Sequence, residues 1–187
     1  STTSAEFREL CGMNMSYNNI NNDFASECLP WLMKKKGFYT TSIHGFSRSM
    51  FDRYQWYPKL GFEQTLFAEE IFKKGYNKMC GGAFRGICDS EIAKMINQIL
   101  INSHNNKKFI YWLTLNSHLP IDKESVNSDV FKCEEDSLYN KNSDLCLLSQ
   151  VHYSLFSNIT EIAMNPEIGP TRFILVGDHN SHFFKKN

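Results

Sequence analysis

Apolar and polar positions along the chain fall into blocks that read alternately as strands and helices. The run Thr171-Arg172-Phe173-Ile174-Leu175-Val176 closes in Gly177-Asp178-His179, which predicts a buried strand delivering an Asp and a His side by side to the end of a sheet. Phe38 to Ile43 is rich in aromatic and β-branched residues and predicts a second strand, emptying into His44-Gly45. Lys108 to Leu115 predicts a third, opening into Asn116-Ser117-His118-Leu119-Pro120. Ile92, Met95, Ile96, Ile99 and Leu100 share one face of a helix expected from Glu91 to Asn102, capped by Asp89-Ser90. A long helix is expected from about Leu145 to Met164, and a shorter one from Ala25 to Lys36 ended by Gly37. Ser4 to Leu10 reads as the first turns of a helix whose start carries the hydroxyls of Ser1, Thr2 and Thr3. Arg48 to Tyr57 reads as an aromatic helix or turn stopped near Pro58. The Asn-rich Asn14 to Asp23, the Gly-rich Cys80 to Gly86 and the polar stretch Asp122 to Ser143 read as loops.

Strands alternating with helices predict an α/β fold, a three-layer α/β/α sandwich around a mostly parallel sheet. In such sheets functional residues gather beyond the carboxyl ends of the strands. His44, His118, and Asp178 with His179 all fall there, on three separate strands. One such His is most often a loop residue with a satisfied hydrogen bond; three at one edge point to a site. A carboxylate beside an imidazole offers hard oxygen and borderline nitrogen to a divalent transition metal.

Composition narrows the classes. A chain of 187 residues suffices for one core, so a single domain over 1–187 is expected. The formal net charge is zero, which removes any electrostatic argument for nucleic acid or an acidic membrane surface. No stretch approaches the roughly 20 apolar residues of a membrane span, and none reads as a signal peptide. The six cysteines, at 11, 28, 80, 88, 133 and 146, form no CxxC pair, which argues against a zinc ribbon or thioredoxin-type site. Their even number and clustering suggest three local disulfides, Cys11–Cys28, Cys80–Cys88 and Cys133–Cys146, and so an oxidising compartment. Other pairings, and six reduced thiols in a cytosolic protein, stay open at this point.

Four blocks in order give the chain a resemblance to the alkaline-phosphatase superfamily, in its sulfatase-like branch of phosphoethanolamine transferases and lipoteichoic-acid synthases. Thr2-Thr3-Ser4-Ala5-Glu6-Phe7 resembles the nucleophile segment. His44-Gly45 with Phe51-Asp52-Arg53 and Tyr57 resembles the substrate-side block, and Leu113 to Pro120 the block whose His faces the transferred group. Val176-Gly177-Asp178-His179 resembles the metal-binding block. The resemblance implies Thr2 as nucleophile and metal ligand, with Thr3 as runner-up, and Asp178 and His179 as ligands of zinc or manganese. It implies that His118 contacts phosphoryl oxygens or acts as general acid, that Arg53 clamps a phosphate, and that His44 shapes the pocket. Each has a plainer reading: helix caps for the threonines, a backbone-bonded loop imidazole for His118, an ion pair for Arg53. His182 is a possible further ligand; His104 and His152 read as structural or exposed. The sequon Asn158-Ile159-Thr160 falls inside an expected helix and is discounted.

The expected chemistry is transfer of phosphoethanolamine or phosphoglycerol from a phospholipid, through a phospho-threonine, to an envelope glycan. The expected setting is the periplasmic or extracytoplasmic face of a bacterial inner membrane. The resemblance also implies an acidic ligand on a strand before the nucleophile and an N-terminal membrane anchor, neither of which is in this sequence. A sheet lacking its first strand and a partial catalytic domain are therefore expected. A hydrolase of the same fold and a catalytically dead envelope-binding module are the alternatives. A Cys/Ser-x-Pro/Ala-x-Arg motif, the usual sulfatase signature, is missing around Thr2.

Overall fold

The computed structural model describes residues 1–20, 27–102, 107–123, 126 and 143–179. Its framework is a parallel sheet of three strands, β1 (Tyr39–His44), β2 (Gln64–Leu66) and β5 (Lys108–Leu113), in the order β2-β1-β5. Central β1 pairs Thr41 with Gln64 on one side and, on the other, runs in register with β5 from Tyr39↔Lys108 to His44↔Leu113. Five of its six residues are buried, as expected for a strand covered on both faces. A short antiparallel hairpin, β3 (Met79–Cys80) with β4 (Gly86–Ile87), stands beside the sheet.

Side-chain alternation divides the core into two clusters. On one face Ile43, Leu66 and, from β5, Ile110 and Trp112 pack with α4 (Ala68–Lys73), α5 (Asp89–Ile101) and α6 (Ser143–Ala163) through Ile71, Ile92, Met95, Ile96 and Ile162. On the other, Phe109 and Tyr111 of β5 meet Phe7 and Leu10 of α1 (Thr2–Cys11), Cys28 ahead of α2 (Leu29–Lys35), and Trp56 of α3 (Arg53–Trp56), with Tyr57, Leu60, Phe62 and Phe67. Helices on both faces of a parallel sheet make the α/β/α layering that the alternation of elements predicts.

Helix α1 ends at Gly12, whose left-handed φ of 67° lets its N–H reach the Arg8 carbonyl. Helix α2 begins at Leu29, with Pro30 in its first turn, where a missing N–H is harmless; the expected start at Ala25 falls on residues not described. Residues 21–26 lie outside the described residues. Disulfide Cys11–Cys28 ties α1 to the start of α2, and Cys80–Cys88 closes the hairpin onto the start of α5. Cys146 is also disulfide-bonded; its expected partner Cys133 lies outside the described residues.

Two expectations change. The Gly-rich segment from Cys80 is a hairpin rather than a plain loop, and a Cβ at Gly86 would strike the Gly45 carbonyl at the exit of β1. Residues 171–176 form no strand: Ile174 is 78% and Val176 61% exposed. An apolar, β-branched run becomes a strand only when a neighbouring backbone satisfies its N–H and C=O groups, and no described strand pairs with it. The segment is tied down at its end, where Arg8 Nη2 donates to the Asp178 carbonyl at 2.8 Å.

Candidate active site

Strands β1 and β5 end at the same level, and each releases a histidine beyond it. His44 is the last residue of β1, and His118 follows the end of β5 by five residues. Their surroundings differ sharply. His44 is buried, and its Nδ1 lies 2.9 Å from the Leu113 carbonyl, to which it donates. Burial, with the Arg53 charge nearby, brings its pKa down to about 3, against the opposing pull of that hydrogen bond. At neutral pH His44 is therefore an uncharged imidazole with its proton on Nδ1 and a lone pair on Nε2. His118 is exposed. Its Nδ1 lies 2.7 Å from the Leu119 carbonyl, and its ring meets the edge of Phe84 with centroids 4.4 Å apart.

Helix α1 begins at Thr2, which is half-buried. The first helical hydrogen bond runs from Ala5 N to the Ser1 carbonyl at 3.1 Å, so the N–H groups of Thr2, Thr3 and Ser4 have no partner within the helix. Those groups and the helix dipole favour an anion at this end. Ser1 stands at the N-cap without a capping side-chain bond; its hydroxyl pairs with those of Thr3 and Ser4.

One turn below Thr2 the helix is locked from beneath. Glu6 is 1% and Arg53 2% exposed. Arg53 Nε and Nη2 reach the Glu6 carboxylate at 3.1 and 2.8 Å, and Nη1 reaches the Met50 carbonyl at 3.3 Å. The Tyr57 hydroxyl donates to Glu6 as well. Burial and the neighbouring Glu6 charge push the Tyr57 pKa well above its ordinary value, so it stays a donor. Arg53 sits directly after two residues held in the left-handed region, Phe51 at φ 55° and Asp52 at φ 52°. Its guanidinium lies 5.2 Å from the Phe51 ring centroid. The fork expected to meet a phosphate is thus engaged by Glu6 and closed off from solvent.

Asp178 is half-buried beside α1. Its Oδ1 accepts from the His179 N–H, and its Oδ2 lies 3.3 Å from His179 Nε2. A carboxylate, an imidazole and the Thr2 hydroxyl suit zinc or manganese in kind but fall short in number of the four donors zinc usually takes. Among the described residues no group of three or more His, Cys, Asp or Glu is arranged to hold a metal. Thr2 makes no hydrogen bond to Asp178, His179 or His118 among the described residues. His104 and His182 lie outside them. His152 is exposed on α6, and Asn158 is helical, as expected.

A sulfatase family model matches residues 1–187. The chain belongs to the sulfatase family. A comparison with curated proteins finds no match. Among solved structures, this sulfatase-family chain is similar to the lipoteichoic acid synthase LtaP from Listeria monocytogenes, with a TM-score of 0.61 and 18% identity. It covers 87% of this chain and 40% of that one. A protein in the alkaline phosphatase superfamily from Vibrio parahaemolyticus matches with a TM-score of 0.61 at 15% identity, covering 86% of this chain and 39% of the other. The shared fold is the alkaline-phosphatase one, and the sulfatase-family chain spans about 40% of the length of these structures. The residues that sequence reasoning undervalued are Glu6 and Tyr57. Both stood in the blocks that carry the resemblance, but nothing local marked them as partners of Arg53.

Proposed function

We propose that the chain supplies the nucleophile, a proton donor and part of a divalent-metal site of a phosphoryl-group transferase. Thr2 at the open end of α1 carries this reading: a hydroxyl beside three N–H groups that have no partner within the helix, on a helix clamped one turn lower by Glu6, Arg53 and Tyr57. A phosphodiester held there is charge-neutralised by the N–H groups and the dipole, and preorganised donors of this kind are the main source of catalysis in phosphoryl transfer.

Thr2 Oγ, its proton passing to solvent, attacks phosphorus, the bond from phosphorus to the diacylglycerol oxygen breaks, and a phospho-threonine ester remains. His118 gives the proton that the departing diacylglycerol oxygen needs; its Nδ1 is committed to Leu119, which leaves Nε2 for that transfer. A hydroxyl of an envelope glycan then gives its proton to His118 Nε2, which lost one in the first step, and attacks phosphorus, while Thr2 Oγ leaves and regains a proton from solvent. Asp178 and His179 are the donors that this chain brings to a zinc or manganese ion, which would neutralise charge at the site and needs further ligands. Arg53 enters as a fixed positive charge beneath α1, and His44 as a neutral wall of the pocket. The group moved is phosphoethanolamine or phosphoglycerol from a phospholipid. Two formed disulfides support an extracytoplasmic setting, with a membrane anchor elsewhere in the protein.

The test is Thr2→Ala in the whole protein, supplied with head-group-labelled phosphatidylglycerol or phosphatidylethanolamine vesicles and zinc or manganese. Transfer should fall by at least roughly 1,000-fold, the scale of losing a covalent nucleophile. Transfer left intact would remove Thr2 from the mechanism. Release of the labelled group to water alone would favour the hydrolase.

A further inference from the structure

The turn that carries His118 is held by a buried clasp to the start of α5. Strand β5 ends at Leu113, and the next residues leave the sheet. There Asp89 accepts from the Leu115 N–H, at 3.1 Å to both carboxylate oxygens, and from the Asn116 N–H at 2.8 Å. In return Asn116 Oδ1 accepts from the Asp89 N–H at 2.7 Å. Both side chains are buried. The clasped Leu115 then closes the next turn, its carbonyl accepting from the His118 N–H at 3.1 Å. His118 is one turn from a double anchor.

A carboxylate in the first turn of a helix ordinarily serves that helix's own N–H groups. Asp89 does not: no side chain caps α5, and the carboxylate oxygens bond to the loop after β5. Burial pushes its pKa up to about 6, opposed by the hydrogen bonds from Asn116 and Leu115, so keeping the group inside is costly. The same helix start is fixed from the other side by the Cys80–Cys88 bond, and the hairpin it closes presents Phe84 to the His118 ring. Position is set at 115 and 116, and orientation at the ring.

We propose that Asp89, through its reciprocal hydrogen bonds with Asn116 and the Leu115 backbone, is a positioning residue for His118. This rests on the reading of His118 as the proton donor. The carboxylate touches no reacting atom; it sets the distance between the His118 ring and the site, and errors of about 1 Å in such placement can lower rates roughly 100-fold.

The experiment is a double-variant cycle in the whole protein, with diacylglycerol release from phosphatidylglycerol and phosphatidylethanolamine vesicles as the readout. Asp89→Ala should lower kcat roughly 100-fold, with KM within about threefold. In a His118→Ala background the same change should cost less than about threefold, because the residue it acts through is gone. Asp89→Asn retains one acceptor oxygen and should lose roughly tenfold, which keeps the test open if Asp89→Ala does not fold. In Asp89→Asn the His118 ring proton resonances should shift while far-ultraviolet circular dichroism stays unchanged. Full additivity of the Asp89 and His118 losses, or a loss confined to KM, overturns the positioning role. If His118→Ala alone leaves kcat unchanged, the reading of His118 fails and the positioning role falls with it.

Discussion

The two faces of the sheet are built from different materials. Toward α5 the core is aliphatic, with Ile43, Leu66, Ile71, Ile87, Ile92 and Ile96, and it is held by non-directional burial. Toward α1 it is aromatic, with Phe7 stacked on Trp56 at 4.9 Å and Tyr57 on Phe67 at 5.7 Å, around the buried Glu6–Arg53 pair. The helix that carries Thr2 sits on the second face. Aromatic stacking and charge-assisted hydrogen bonds restrict geometry more tightly than aliphatic contact does, so the face that carries the proposed nucleophile is the one with directional interactions. The other face supplies bulk stability and anchors α5, whose start reaches over to the His118 turn.

Breaking the directional lock should be the costliest change. Glu6→Ala leaves the Arg53 charge buried and unpaired and should destabilise by about 3–5 kcal/mol in urea unfolding. Replacing Glu6 and Arg53 together with apolar residues of similar volume should recover much of that loss while leaving transfer impaired. An equal cost for the double replacement would mean that the pair is needed for folding itself. On the aliphatic face, Ile92→Ala should cost about 2–5 kcal/mol through a cavity, yet kcat of the folded fraction should hold within a few-fold. A collapse of kcat there would break the division of labour between the faces. Removing the Cys11–Cys28 bond, whose cysteines lie 17 residues apart, by a paired Ser substitution should cost about 3 kcal/mol.

The smallest effects separate His44 from Asp89 by sign. The His44 pKa is lowered from 6.5 to about 3, so the unfolded chain binds more protons between those values and stability is lost as pH falls through them. The Asp89 pKa is raised from 3.8 to about 6, so the native state binds more protons there and its contribution is lost as pH rises. His44→Gln should flatten the acid-side decline of the urea midpoint, and Asp89→Asn should steepen it between pH 6 and 4. Shifts in the same direction for both would contradict the burial of one of them.

Strands β1 and β5 were legible from their runs of aromatic and β-branched residues, and helix α5 from apolar residues at helical spacing, Ile92, Met95 and Ile96, which are buried. The three residues of β2 and the two-residue strands of the hairpin are too short to show any period. The run at 171–176 shows the converse: its composition is that of a strand, but strand formation depends on a neighbour that composition does not encode. At the candidate site, the residues at strand ends were legible by position. The Glu6–Arg53–Tyr57 lock joins positions about 50 residues apart, and the Asp89–Asn116 clasp joins positions 27 apart. Such pairings come from the fold, and no local pattern announces them.

The most direct test of the central claim is peptide-resolved mass spectrometry of the whole protein after incubation with the phospholipid donor and zinc or manganese, quenched before acceptor is added. A phosphoryl adduct on Thr2, with a mass that names the head group, is the predicted result. An adduct on Thr3 instead, or donor consumed with Thr2 never modified, would contradict the account.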